Sequence, residues 1–125
     1  MTTMKTNSTR DIGYQGEERA ARFLEEKGFK IIAKNYTIRG GEVDIIAKDK
    51  ESLVFVEVKM RIGNKYGSAL ESITPWKIKA LLKSALFYIQ KINWGEKPYR
   101  IDLVTIDYSE VGAKPEIALV KNITF

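Results

Sequence analysis

The stretch GGEVDIIAKDKESLVFVEVKMR, residues 40–61, constrains the fold more than any other part of the chain. Two runs rich in apolar residues, Glu42 to Lys48 and Leu53 to Arg61, flank the short polar segment DKES, which is the pattern of an antiparallel hairpin. Side chains alternate across a strand, so Val43, Ile45 and Ala47 are expected to share a core face with Val54, Val56, Val58 and Met60. The opposite face then carries Glu42, Asp44, Ile46 and Lys48 together with Leu53, Phe55, Glu57, Lys59 and Arg61. Closing the turn at Lys48 and Leu53, or at Asp49 and Ser52, sets Asp44 against Glu57, Ile46 against Phe55 and Glu42 against Lys59.

The segments on either side complete a sheet with helices. From Thr9 to Lys27 the residues Ile12, Gly16, Ala20 and Phe23 follow a helical spacing, with Gly28 in the position of a C-terminal cap. At about 100° per residue, Glu17 lies on the edge of that stripe and Glu18 points away from it. Residues 29–38 read as a strand that turns through RGG into the hairpin. IGNKYGSALESI lacks periodicity and reads as a surface connection. Thr74 as N-cap and Pro75 at the first helical position then start a helix that runs to about Ile92. Ile78, Leu81, Leu82, Ala85, Tyr88 and Ile89 face inward, and Trp76 and Trp94 are expected to brace its ends. YRIDLVTID and EIALVKNITF form two final strands, with Arg100 and Asp102 placed for a structural ion pair. The order αβββαββ contains a strand–helix–strand crossover, which predicts an α/β fold with a mixed five-stranded sheet and flanking helices. Residues 1–8 are expected to form a flexible N-terminal tail, and residues 9–125 a single domain large enough to bury a core.

Composition narrows the chemistry. The chain has no cysteine and no histidine, which excludes thiol nucleophiles, disulfides, thiolate zinc sites and histidine-based catalysis. What remains is carboxylates, lysines, hydroxyls, or a metal held by oxygen. A net charge of +5 and a pI near 9.4 suit a polyanionic partner such as nucleic acid. The N-terminus has no apolar segment of signal-peptide length and no run approaches a membrane span, so a cytoplasmic location without a membrane partner is expected.

Against this background the carboxylates inside the hairpin stand out. Opposed like charges in a sheet cost roughly 0.2–1 kcal/mol when exposed, and more when partly buried. A divalent cation would offset that cost, and so would Lys59 and Arg61 as local counterions. Magnesium prefers oxygen ligands and retains waters, one of which could attack a phosphodiester. Lys59 is placed to orient that water or to stabilise developing charge; acting as a base would require its pKa to fall far below about 10.4. Ordinary cross-strand ion pairs, Glu42 with Lys59 and Asp44 with Arg61, account for the same residues.

Asp44 followed by Glu57-x-Lys59 across a hairpin resembles the PD-(D/E)XK superfamily of metal-dependent nucleases, which includes restriction endonucleases and Holliday-junction resolvases. GYQGEERAARFLEEKGFKIIAKNY, GEVDIIA, VFVEVKMR, YGSALESIT, Lys77 and YRIDLV together resemble the YraN-like family of bacterial proteins, in the same order from Gly13 to about Val104. The resemblance implies a restriction-endonuclease-like fold. It also implies Asp44 and Glu57 as ligands of Mg2+ or Mn2+, Lys59 as the catalytic lysine, and Glu17 as an assisting acid from the first helix. A carboxylate near a helix N-terminus, favoured by the dipole, is the other account of Glu17. Val43 stands where the superfamily's name places proline, and Met60 replaces a hydroxyl residue after the lysine.

Three further residues are candidates for holding nucleic acid. Lys77 opens the second helix, where an ammonium and the helix N-terminus suit a phosphate; an exposed lysine beside Lys79 and Lys83 is the plainer account. Tyr66, between glycines, is placed either to stack on a base or sugar or to pack its own loop. Arg61 extends the basic end of the hairpin. The expected function is a metal-dependent endonuclease acting on DNA, including branched or flapped DNA, with a homodimer if both strands of a symmetric substrate are cut. A non-catalytic nucleic-acid-binding module with the same fold, and an adaptor whose acids are structural, are the alternatives.

Overall fold

The computed structural model describes residues 9–63 and 66–124, with side chains from residue 15 onward in the first helix. Residues 1–8, expected as a tail, and the side chain of Ile12 lie outside what it describes. The elements follow the predicted order: α1 (Thr9–Glu26), β1 (Lys30–Ile38), β2 (Gly41–Asp49), β3 (Ser52–Ile62), α2 (Pro75–Lys91), β4 (Tyr99–Tyr108) and β5 (Glu116–Val120). A short 3-10 turn, Leu70–Ser72, precedes α2. The strands lie side by side in chain order in one sheet. All neighbours are antiparallel except β3 and β4, the pair that α2 connects, so the sheet is mixed.

The central pair explains where the core sits. Residues 53–57 of β3 and 101–106 of β4 are buried without alternation, as strands covered on both faces must be. On one face α1 packs Ala20, Ala21 and Leu24 against Ile45, Ala47, Val54 and Val56. On the other, Leu81 and Ala85 of α2 meet Ile46, Leu53, Phe55, Ile101 and Leu103. All six residues expected to face inward from α2 join this second core. The Ile46 and Phe55 face is therefore as much core as its opposite, and only its far end is polar.

The hairpin register agrees with expectation at Asp49–Ser52, Lys48–Leu53 and Ile46–Phe55. Two details differ. Val43 packs with Ile46 on the α2 side and not with Ile45. The β2–β3 ladder also stops at Ile45–Val56, so alternation is not maintained toward Glu42. Trp76 does not brace a helix end: it is 77% exposed. Trp94 does, donating its Nε1 hydrogen to the Pro98 carbonyl at 3.1 Å and packing on the α2-side core.

The start of β2 passes directly under α2. A Cβ on Gly41 would collide with Ser84 Oγ and lie 3.0 Å from the Ala80 carbonyl oxygen. Gly41→Ala is expected to cost about 1–3 kcal/mol by overpacking, read as a lower urea midpoint with an unchanged slope.

Candidate metal centre

Where the β2–β3 ladder ends, side chains replace backbone partners. The Asp44 carboxylate accepts the Val58 N–H at 2.8 Å, which ties β2 to β3 one step beyond the last paired residues. Glu57, next to Val58, turns its carboxyl toward the same place and is almost fully buried. Its Oε1 is buried with no hydrogen-bond donor. Burial raises its pKa first and the neighbouring Asp44 charge second, to about 8, although Lys77 and Lys59 pull in the opposite direction. Burial likewise raises Asp44, partly offset by the Val58 N–H. Burial thus makes it costly for both acids to be ionised at once without a cation beside them.

Glu17 approaches Asp44 from α1. Its pKa is raised by burial and then by the Asp44 charge, while an Asn35 hydrogen bond and Lys34 lower it. The preceding Gly16 is buried, and a Cβ there would sit 2.7 Å from Met60 Sδ of β3. A glycine inside a helix costs about 1 kcal/mol relative to alanine; here it lets α1 approach the sheet closely enough to bring Glu17 to the acids. Asn35 escaped the sequence reading. It lies between the pairs Lys34–Ile45 and Tyr36–Val43, abreast of Asp44, with φ of +54°. An asparagine, which tolerates that left-handed conformation, inside an otherwise strand-like run was the available signal.

Lys77 comes from α2. Thr74 Oγ1 accepts the Lys77 N–H at 3.2 Å, as an N-cap should, and Lys77 Nζ lies 3.8 Å from Glu57 Oε2. Lys59 is exposed on the same side of β3, and its charge is felt by Glu57. The two lysines, Glu57 and the Ile73–Thr74 approach to α2 line a cleft of about 250 Å³. Glu42 adds a further negative charge near Asp44 and Glu17 rather than closing a ladder pair with Lys59.

Arg61 and Tyr66 are brought together, but elsewhere. Arg61 donates from Nε and Nη2 to the two Asp107 oxygens at 2.7 and 2.9 Å, and from Nη1 to the carbonyls of Gly67 and Ser68. Its guanidinium lies 4.1 Å from the Tyr66 ring centre. This clamp fastens the loop before α2 onto β3 and β4.

The donor set suits a hard divalent cation. Asp44 and Glu57 offer carboxylate oxygens, and the unpartnered Glu57 Oε1 is a ligand atom without a competing donor. Among the described residues no three acidic side chains converge tightly enough to enclose an ion by themselves. A magnesium shell held by two carboxylates and completed by water needs no third. Among the described residues, no helix is long and apolar enough to cross a membrane.

Comparison with known proteins finds relatives that match most of the chain. A UPF0102 protein of Pseudomonas aeruginosa is 40% identical over 116 residues, covering 92% of this chain and 93% of that protein. One from Nitrosococcus oceani is 42% identical over 111 residues, 88% and 89% of the two chains. Another from Symbiobacterium thermophilum is 41% identical over 99 residues, 79% and 84%. With residues 16–106 matching the model of the Uncharacterised protein family UPF0102, and these residues carrying Glu17, Asp44, Glu57, Lys59 and Lys77, the chain belongs to that family.

Proposed function

We propose that this protein is a metal-dependent endonuclease of the PD-(D/E)XK type that hydrolyses phosphodiester bonds in DNA, including branched or flapped DNA. The observation that carries the reading is the buried Asp44–Glu57 pair, with raised pKa values and an oxygen lacking any donor. Asp44 and Glu57 would hold Mg2+ or Mn2+. Bound there, the cation supplies charge neutralisation at the phosphoryl group and acidifies a water nucleophile. Lys59, exposed at the cleft, places its ammonium against the negative charge of the phosphate. Glu17 adds a carboxylate on the α1 side that accepts a proton from, or orients, water. Lys77, at the capped start of α2, brings a positive charge to the cleft, where the helix dipole also favours an anion.

Four-way junction, flap, duplex and single-stranded DNA, each with and without magnesium or manganese, form the test. Cleavage is expected only with metal, with Asp44→Asn and Glu57→Gln each reducing it at least about 1,000-fold and Lys59→Ala about 100-fold or more. Cutting both strands of a symmetric junction takes two such centres, so cleaving samples are expected to sediment as a homodimer. Metal-dependent cleavage that survives loss of both acids would overturn the proposal.

One observation favours a second reading, a nucleic-acid-binding module without cleavage. The Lys77 ammonium stands 3.8 Å from Glu57 and is itself a cation at the pair. Salt-sensitive binding to DNA with no product under any metal is its signature.

A further inference from the structure

Helix α2 turns an unusual face to solvent. Trp76, Lys83 and Phe87 fall within about 20° of one line on the helix, opposite Ile78, Leu81 and Ala85, which are in the core. Trp76 is 77% exposed and Phe87 52%. The line begins at Trp76, one residue before the Lys77 that borders the cleft, and reaches Phe87 about 16 Å further on. There it opens into a groove of about 810 Å³ between α2 and the β1–β2 turn. Arg39, Lys83 and Lys91 border the groove, and Tyr36 and Phe87 give it aromatic walls. Gly40 carries the turn beneath Lys83, whose Nζ would lie 3.0 Å from any Cβ there. No carboxylate lines the groove, and among the described residues none pairs with these three cations.

Two chemistries therefore alternate along one track: fixed positive charge and accessible aromatic faces. A double helix keeps its base faces stacked inside and offers only phosphate to such a surface. A single strand offers both phosphates and π-faces, and aromatic side chains interleaved with lysines are the usual means of holding one. We infer that the outer face of α2 and the groove at Phe87 bind one strand of unpaired nucleic acid and lead it to the cleft at Glu57 and Lys77. The inference deepens the nuclease reading and rests on it for the role of the cleft. It specifies a substrate with an unpaired stretch next to the bond cut, in preference to intact duplex.

The test separates the two claims. Fluorescence anisotropy with a labelled oligothymidylate of about 15 nucleotides, in excess EDTA so that neither metal nor cleavage enters, measures the track alone. Lys83→Glu with Lys91→Glu is expected to weaken binding at least tenfold. The charge-neutral pair Lys83→Gln with Lys91→Gln should make the logarithmic salt dependence shallower by about 1.4, at about 0.7 per phosphate contact on a single strand. Phe87→Ala should weaken binding by about 5- to 100-fold through lost stacking, with Phe87→Tyr retaining most of it. Trp76 fluorescence should be quenched on binding, a signal that Trp76→Phe removes. Circular dichroism of each variant is expected to match the parent, since all these side chains are exposed. Unchanged affinity and salt dependence in the lysine variants would overturn the inference, as would unchanged binding in Phe87→Ala. So would equal affinity for duplex of the same length, or a groove that binds apolar peptide but not the oligonucleotide. Track-dependent binding without cleavage under any metal would leave the inference standing and remove the nuclease reading; cleavage indifferent to the track variants would do the reverse.

Discussion

At pH 8.5 in EDTA, Glu57→Gln is expected to melt several degrees above the parent protein, although the substitution removes a proposed metal ligand. Glu57 keeps its proton in the folded chain up to about pH 8, whereas a glutamate in the unfolded chain loses it near pH 4.5. Between those limits the folded state binds more protons than the unfolded one, so stability falls as pH rises. The favourable contribution is complete below pH 4.5 and gone above about 8. At about 1.4 kcal/mol for each pH unit over which the proton is retained, the loss amounts to a few kcal/mol. Asp44 and Glu17 shift in the same direction, so they add to the slope. Glutamine has the same shape and no charge to desolvate, so the melting temperature of the variant should fall less steeply over this range, with Asp44 and Glu17 accounting for the slope that remains. Excess magnesium should restore the parent at pH 8.5 by binding the folded state, with no effect on the variant. Differential scanning calorimetry across pH with and without metal measures all of this. A parent that becomes more stable between pH 5 and 8 in EDTA would contradict the account.

The second large effect lies on the other face of the sheet. Asp102 is completely buried and accepts hydrogen bonds from Arg100 Nε at 3.0 Å and from the Asn122 N–H at 2.9 Å. Arg100 also reaches Asp49 at 2.8 Å, next to the hairpin turn. The network fastens the C-terminal segment after β5 and the β2–β3 turn to β4. Asp102→Ala leaves a half-buried guanidinium with one partner fewer and a backbone N–H with none. The expected cost is about 3–5 kcal/mol, the range for removing one member of a buried pair. Asp102 sits on the α1 side of β4 with Val104 and Ile106, whereas Glu57 faces α2 with Phe55. Urea unfolding should therefore show the full loss, while divalent-ion binding by the folded fraction is unaltered. A loss below about 1 kcal/mol would show that Arg100 finds water or Asp49 an adequate replacement.

Much of this was legible in the residues because it is local. Thr74 and Pro75 announce the start of α2, and the hairpin's pairing follows from the distance between its apolar runs. The approach of Asp44 to Glu57 also follows from the period of the hairpin, whereas helical angle places Glu17 only at the edge of the buried stripe, and its approach to Asp44 is what the family resemblance implies. What escaped depends on contacts distant in sequence. Arg61 reads as a counterion of Asp44 or a contact for nucleic acid until Asp107, 46 residues later, is seen beside it on the parallel neighbour strand. Val43 obeys alternation only while the ladder persists, and the Asp44 carboxylate interrupts it by taking the Val58 N–H. Trp76 looks like a core residue by type, yet its helical angle relative to Ile78 already pointed outward.

The unfinished ladder has a mechanical consequence. Two strands held firmly at a short turn, their backbone ladder ending at Ile45 and Val56 and only the Asp44 carboxylate taking the Val58 N–H beyond it, form a fork, with one acid on each prong. The gap between the carboxylates then depends on the opening angle, which is set where the prongs diverge. Both residues at that junction are wholly enclosed, so bulk added there would act as a wedge and widen the gap without touching either acid. If the acids hold a cation as proposed, selectivity for a smaller or larger ion would be governed by packing at the junction as much as by the identity of the ligands.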